Sequence, residues 1–180
     1  MLRYVTSNPG KAREAEAYLG ETVEAVDHTY MEPQSDSLDD IARYGAERAF
    51  AELPGEDPVI VDDAGLFLSA LGGFPGPYSA YVEHTLGIER VASLVAGEDS
   101  QRAEFRAVIG FADGRTVETF EGRVRGRIVQ PRGEGGFGYD PIFEHGDRTF
   151  AEMDVAEKNA ISHRGRALER FADWYQDRTG

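Results

Sequence analysis

The chain of 180 residues contains no cysteine, only two lysines and one tryptophan, and its apolar residues never gather into a run long enough to cross a bilayer. Without cysteine there can be no disulfide framework, thiolate zinc site or cysteine nucleophile, so any metal must take oxygen or imidazole ligands. The opening segment MLRYVTSNPGK lacks the basic, apolar and small-residue succession of a secretory leader, and a soluble, unprocessed, cytoplasmic protein is expected. Positive charge is also scarce. Against 33 acidic residues stand 19 basic ones, a formal net charge of −14. Such a surface repels DNA and anionic lipid at long range, so neither nucleic acid nor membrane is expected as a partner. Seventeen of the basic residues are arginine and the two lysines are Lys11 and Lys158. An acidic, lysine-poor composition suggests a halophile-like cytoplasm, the alternative being GC-rich codon usage.

No repeat, low-complexity tract or composition break divides residues 1–180, so a single domain is expected. Hydrophobic spacing predicts strands at 2–6 and 23–27, and helices at 11–19, closed by Gly20, and after Ser37 up to Pro54 and Gly55. Ser37 and Asp40 have capping-box spacing, as do Asp154 and Glu157. A buried strand at 59–61 runs out into Asp62 and Asp63, and a glycine-rich loop follows at 72–78. Residues 88–95 read as helix, 105–112 and 116–129 as a hairpin around Asp113 and Gly114. Residues 163–177 form a long amphipathic helix with Leu168, Phe171 and Trp174 or Tyr175 facing inward. Strands alternating with helices, plus one long hairpin, give an α/β class with a mixed central sheet flanked by helices.

Four constellations can carry chemistry. TSNPGK puts a strand end, a turn and a helix start in succession, with Lys11 where backbone N–H groups and the helix dipole favour an anion. A plain turn with a solvated lysine is the alternative, since no Walker spacing is present. In VIVDDAGL, adjacent carboxylates point to opposite faces, so one can hold a divalent cation while the other deprotonates a water; both can equally cap a turn. RGEGGFGYDP contains a literal GxGxxG that opens no helix, leaving a loop in which Phe137 and Tyr139 can stack a base beside Asp140, or merely pack. EKNAISHRG gathers Lys158, Ser162, His163 and Arg164, donors suited to phosphate and to an oxo-purine, or else a helix start capped by Ser162. The only two lysines fall in the first and fourth of these segments, which favours function there. Arg123, Arg125 and Arg127 alternate along one strand and read as a solvated or inter-subunit face.

The ordered motifs TSNPGK, VDDAGLFLSALGGFPGPYS, PRGEGGFGYDPIF, TFAEM and EKNAISHR strongly resemble the inosine triphosphate pyrophosphatase family over essentially the whole chain. YGAERAF and PYSAYV look most like archaeal members. The resemblance implies a two-lobed fold with an active-site cleft, a homodimer and Mg²⁺ dependence. The implied activity is hydrolysis of ITP, dITP or XTP to the monophosphate and pyrophosphate. It carries Thr6, Ser7, Asn8 and Lys11 onto the triphosphate loop and Glu14 onto a helix acid. Glu32 and Asp62 fall on metal-binding acids, and Asp63 on the acid that binds metal and positions or deprotonates the attacking water. Phe137, Gly138, Tyr139 and Asp140 fall on the base-stacking loop. Lys158, Ser162, His163 and Arg164 fall on the segment that binds phosphate and reads the purine, Lys158 helping Lys11 neutralise the pyrophosphate. Asp62 stands where relatives usually have Glu. Ala80 and Tyr81, and Glu47 and Arg48, stand where many relatives have a basic residue. Either Arg48 substitutes or fewer charges hold the triphosphate. The rival readings are a pyrophosphatase of the septum-associated relatives acting on pyrimidine or modified nucleotides, and a nucleotide-binding regulator without turnover.

Overall fold

The computed structural model describes residues 1–179. In chain order the elements are β1 (Leu2–Val5), α1 (Pro9–Leu19), β2 (Val23–Val26), α2 (Leu38–Glu52), β3 (Val59–Leu68) and β4 (Pro75–Gly76). These are followed by α3 (Ser79–Leu86), α4 (Ile88–Ala96), β5 (Arg102–Ala112), β6 (Val117–Ile128), β7 (Phe143–His145), β8 (Arg148–Thr149), α5 (Val155–Ile161) and α6 (His163–Thr179). They form a mixed α/β fold with a central mixed sheet flanked by helices, as expected. No helix among the described residues is long and apolar enough to cross a membrane.

Local chemistry sets most boundaries. Asn8 caps α1, its side chain accepting from the Gly10 N–H, Pro9 pre-sets the first turn, and Gly20 ends the helix in the left-handed region at φ 70°. Ser37 caps α2 by accepting from the Asp40 N–H. Asp40 does not return the bond; its carboxylate accepts from the Ser35 hydroxyl. Asp154 and Glu157 do form the reciprocal box at α5. The strand expected to run out at Asp62 and Asp63 continues to Leu68, which sets both acids in mid-strand. It continues because Leu66 and Leu68 are buried and the glycine-rich loop returns as β4, pairing Leu66 with Gly76. Helix α3 was not foreseen, having no side-chain cap to announce it.

The chain condenses into two compact units. The first holds Met1–Asp63, Ala107–Gly122 and the segment from Arg164 onward. Its strand order is β2-β1-β3-β5-β6, with β1 parallel to both neighbours. Leu2, Tyr4, Ile60, Ile109, Leu168 and Phe171 are fully buried there. Trp174 packs at 5.1 Å from both Phe111 and Phe120. The second unit holds Ala64–Arg106 and Arg123–His163, with β4 on β3 and the order β5-β6-β7-β8. Its core joins Leu66, Val82, Val91, Phe105, Phe143 and Phe150. The Arg stripe is exposed on β6, but Glu104 accepts from Arg125 Nε and Arg106 Nε at 3.0 Å each.

One close approach in the first unit bears on the site. A Cβ at Gly45, inside α2, would lie 2.5 Å from the Tyr30 hydroxyl oxygen. Gly45→Ala should destabilise the protein by ~1–3 kcal/mol through overpacking, outweighing the gain of about 0.5–1 kcal/mol in helix propensity. Urea denaturation checks this, and adding Tyr30→Phe should recover part of the loss.

Candidate active site

In the first unit a cavity of about 300 Å³ is lined by Thr6, Ser7, Lys11, Tyr30, Glu32 and Asp62, together with Asp27 and His28. The loop before α1 shapes one wall. Thr6 Oγ1 accepts from the Asn8 N–H at 3.1 Å and Asn8 Oδ1 from the Gly10 N–H at 2.9 Å, so these two side chains hold the turn that presents Lys11. Asp62 lies in the middle of β3 with its side chain 2% exposed. Its Oδ1 accepts from Lys11 Nζ at 2.8 Å and its Oδ2 from Arg164 Nε at 3.0 Å. Glu14 sits 3.9 Å from the far side of the same guanidinium. Burial pushes the Asp62 carboxyl up, but Arg164 and then Lys11 outweigh it and hold the group at about 2. The phenol of buried Tyr4 is driven up by burial and by Asp62.

Each oxygen of the buried Asp62 carboxylate thus already accepts from a cation. Glu32 faces the cavity with its side chain exposed. Tyr30 is raised by burial, then by Glu32, Asp63 and Asp62, which puts all three acids within electrostatic reach of its hydroxyl. Among the described residues no three acids or imidazoles converge into a ready-made metal cage. Two carboxylates nevertheless fit Mg²⁺, which binds through one or two of them plus substrate phosphates and keeps several waters.

In the second unit the glycine-rich loop and the fourth segment meet. Phe137 is 72% exposed and Lys158 Nζ lies 4.3 Å from its ring centroid. Tyr139 is not a stacking surface; it is buried, and its hydroxyl donates to the Ser79 carbonyl at 2.8 Å. Asp140 does not face a base; its buried carboxylate accepts from the Phe137 N–H at 2.8 Å and from Lys158. Gly136, at φ 72°, lies so close to Asp140 that any side chain there would collide with it. The His163 ring stacks on Phe105 at 4.9 Å and 12°, and Ser162 beside it is buried. Lys158 is thus placed at the aromatic loop.

Arg48, a candidate substitute for the missing lysine, pairs with Glu52 one turn on, and Glu52 also contacts His28 at 3.1 Å. The exposed Ala80 and Tyr81 lie on α3. Tyr4, Asp27, His28 and Tyr30 were missed in the sequence reading. Only the spacing of Tyr30 two residues before Glu32 could have signalled one of them.

Because Asp62 is held at about 2 when folded and titrates near 3.8 otherwise, its contribution to stability is present above about pH 4 and lost as pH falls toward 2. Wild type should therefore lose about 2 kcal/mol more than Asp62→Asn between pH 5 and 2, as read from urea midpoints.

The Ham1 family model matches residues 2–174. The chain is 56% identical over 182 residues to a dITP/XTP pyrophosphatase of Methanopyrus kandleri, covering 97% of this chain and 95% of that one. It is 50% identical over 182 residues to the Thermococcus kodakarensis protein of the same name, covering 98% and 97%. Among solved structures, the Staphylococcus aureus Ham1 protein matches with a TM-score of 0.88 at 28% identity and 98% coverage of both chains. The resemblance carried by the five motifs therefore holds along the chain's length, and this protein belongs to the Ham1 family.

Proposed function

We propose that this chain hydrolyses non-canonical purine nucleoside triphosphates, of the ITP, dITP and XTP type, to the nucleoside monophosphate and pyrophosphate. The observation that carries this reading is the meeting of Thr6, Ser7 and Lys11 with Glu32 around one cavity, phosphate donors facing an exposed carboxylate. The archaeal relatives named dITP/XTP pyrophosphatases support it. In the reaction a water oxygen bonds to the α-phosphorus as the bond to the bridging oxygen breaks, and the water proton passes to Asp63. Lys11, at the start of α1, neutralises charge on the phosphates, where the helix dipole also favours an anion. When bound, a divalent cation such as Mg²⁺ neutralises phosphate charge and acidifies water, and Glu32 and Asp63 are the residues that would hold it.

The base end belongs to the second unit's residues. Phe137 offers an exposed ring for stacking, supported from behind by Asp140, which pins its backbone N–H. His163 supplies a donor for a 6-oxo group. The 6-amino group of adenine cannot accept from it, at a cost of about 1–3 kcal/mol. A homodimer and a cytoplasmic location complete the proposal.

A pyrophosphate-release assay over ITP, XTP, GTP, ATP and dTTP should rank ITP and XTP first. Preference for dTTP would favour the pyrimidine reading, and binding without release would favour a regulator. EDTA should abolish release and added Mg²⁺ restore it. Asp63→Asn should lower kcat by about 100-fold or more while nucleotide affinity is kept.

A further inference from the structure

The acid pair on β3 divides its labour in a way that the adjacency of its members does not announce. Asp62 is the most enclosed charged group of the first unit's cavity wall, and each of its oxygens already has a cation, Lys11 Nζ at 2.8 Å and Arg164 Nε at 3.0 Å. Its side chain is 2% exposed, against 26% for Lys11 and 16% for Arg164. A hydrated Mg²⁺ needs an oxygen it can approach with its own water shell, and dehydrates reluctantly. An ammonium on a four-carbon stem has the opposite need. Unheld, Lys11 would sample many rotamers, and ordering it only when substrate arrives would subtract from binding. The carboxylate supplies that order in advance, and it lets a second cation, Arg164, lie beside the first without net repulsion.

We propose that Asp62 is a positioning residue, a buried counter-ion that holds Lys11 and Arg164 in place at the phosphate cavity and takes no part in metal binding. The proposal rests on the reading of that cavity as the phosphate site. The cation is assigned to Glu32 and Asp63. Its consequence for the reaction is a division within one dipeptide: Asp62 sets the cations that meet the phosphates, and Asp63 handles the water.

The lysine-poor composition makes the test direct, because amine labelling with acetic anhydride, read by mass spectrometry, has only Lys11, Lys158 and the N-terminus to report. In the protein without nucleotide or metal, Asp62→Asn should raise the Lys11 labelling rate by about fivefold or more, since the paired ammonium is protected and the freed one is not. Lys158, paired with Asp140, should stay within about twofold, and serves as the internal control for folding. An unchanged Lys11 rate overturns the proposal. In a second arm, Mn²⁺ affinity is measured by electron paramagnetic resonance with α,β-imido-ITP present. Asp62→Asn should stay within about threefold of wild type, and Glu32→Gln should weaken Mn²⁺ by about tenfold or more. Equal weakening in the two variants also overturns it. If Asp62→Asn does not fold, Asp62→Glu carries the second arm: Mn²⁺ affinity should stay within about threefold of wild type, and weakening equal to that of Glu32→Gln overturns the proposal. Failure of the wild type to bind α,β-imido-ITP would reject the nucleotide reading, while the labelling arm would still decide the clamp.

Discussion

Taking a carboxylate out of water costs several kcal/mol, and the first unit accepts that cost at Asp62 because two cations converge on it from opposite ends of the sequence. Lys11 comes from the first turn of α1 and Arg164 from the first turn of α6, while Asp62 lies in the middle of β3. One carboxylate thereby ties three elements together at the point where the loop at 6–8 enters α1. The loop's own bonds, Thr6 to Asn8 and Asn8 to Gly10, set its shape. The aspartate sets where its lysine goes. Removing either cation would leave one oxygen of the buried carboxylate without its hydrogen-bond partner.

The second unit uses the same device for a different end. Asp140 is buried and takes both the Phe137 N–H and Lys158, so one acid fixes an exposed aromatic ring and the cation lying on it. Phe105 performs the corresponding service for His163, offering a flat apolar partner that limits the ring to one plane. Both of the chain's lysines therefore end on a buried aspartate. In a protein of net charge −14 the pairing fixes the position of both ammonium groups.

Much of this was legible in sequence, and the parts that were not share a cause. Helix boundaries at Gly20, Ser37 and Asp154 could be read because caps are local, decided by residues within one turn, whereas α1 begins at Pro9, two residues before the expected start. The long strand β3 could not, since its second half depends on β4 arriving from a loop that looked structureless. The ordered motifs name the candidate residues, but burial and partners are not legible in them. Tyr139 and Asp140 look like ligand contacts beside Phe137 until the loop is folded and both turn inward. That Asp62 carries Arg164, 102 residues away, on its second oxygen has no local signature at all. Tyr30 carried too little signal, because its meaning lies in the glycine of α2 that makes room for it.

The placement of the single tryptophan has a spectroscopic corollary. Trp174 packs on Phe111, Phe120 and Phe171 with Arg178 across its ring, entirely within the first unit. The second unit holds only tyrosines as ultraviolet emitters, Tyr78, Tyr81 and Tyr139. Excitation at the red edge of indole absorption thus illuminates one half of the molecule and leaves the half that carries Phe137 dark. An emission change on adding a nucleotide would report events around Trp174 in the first unit.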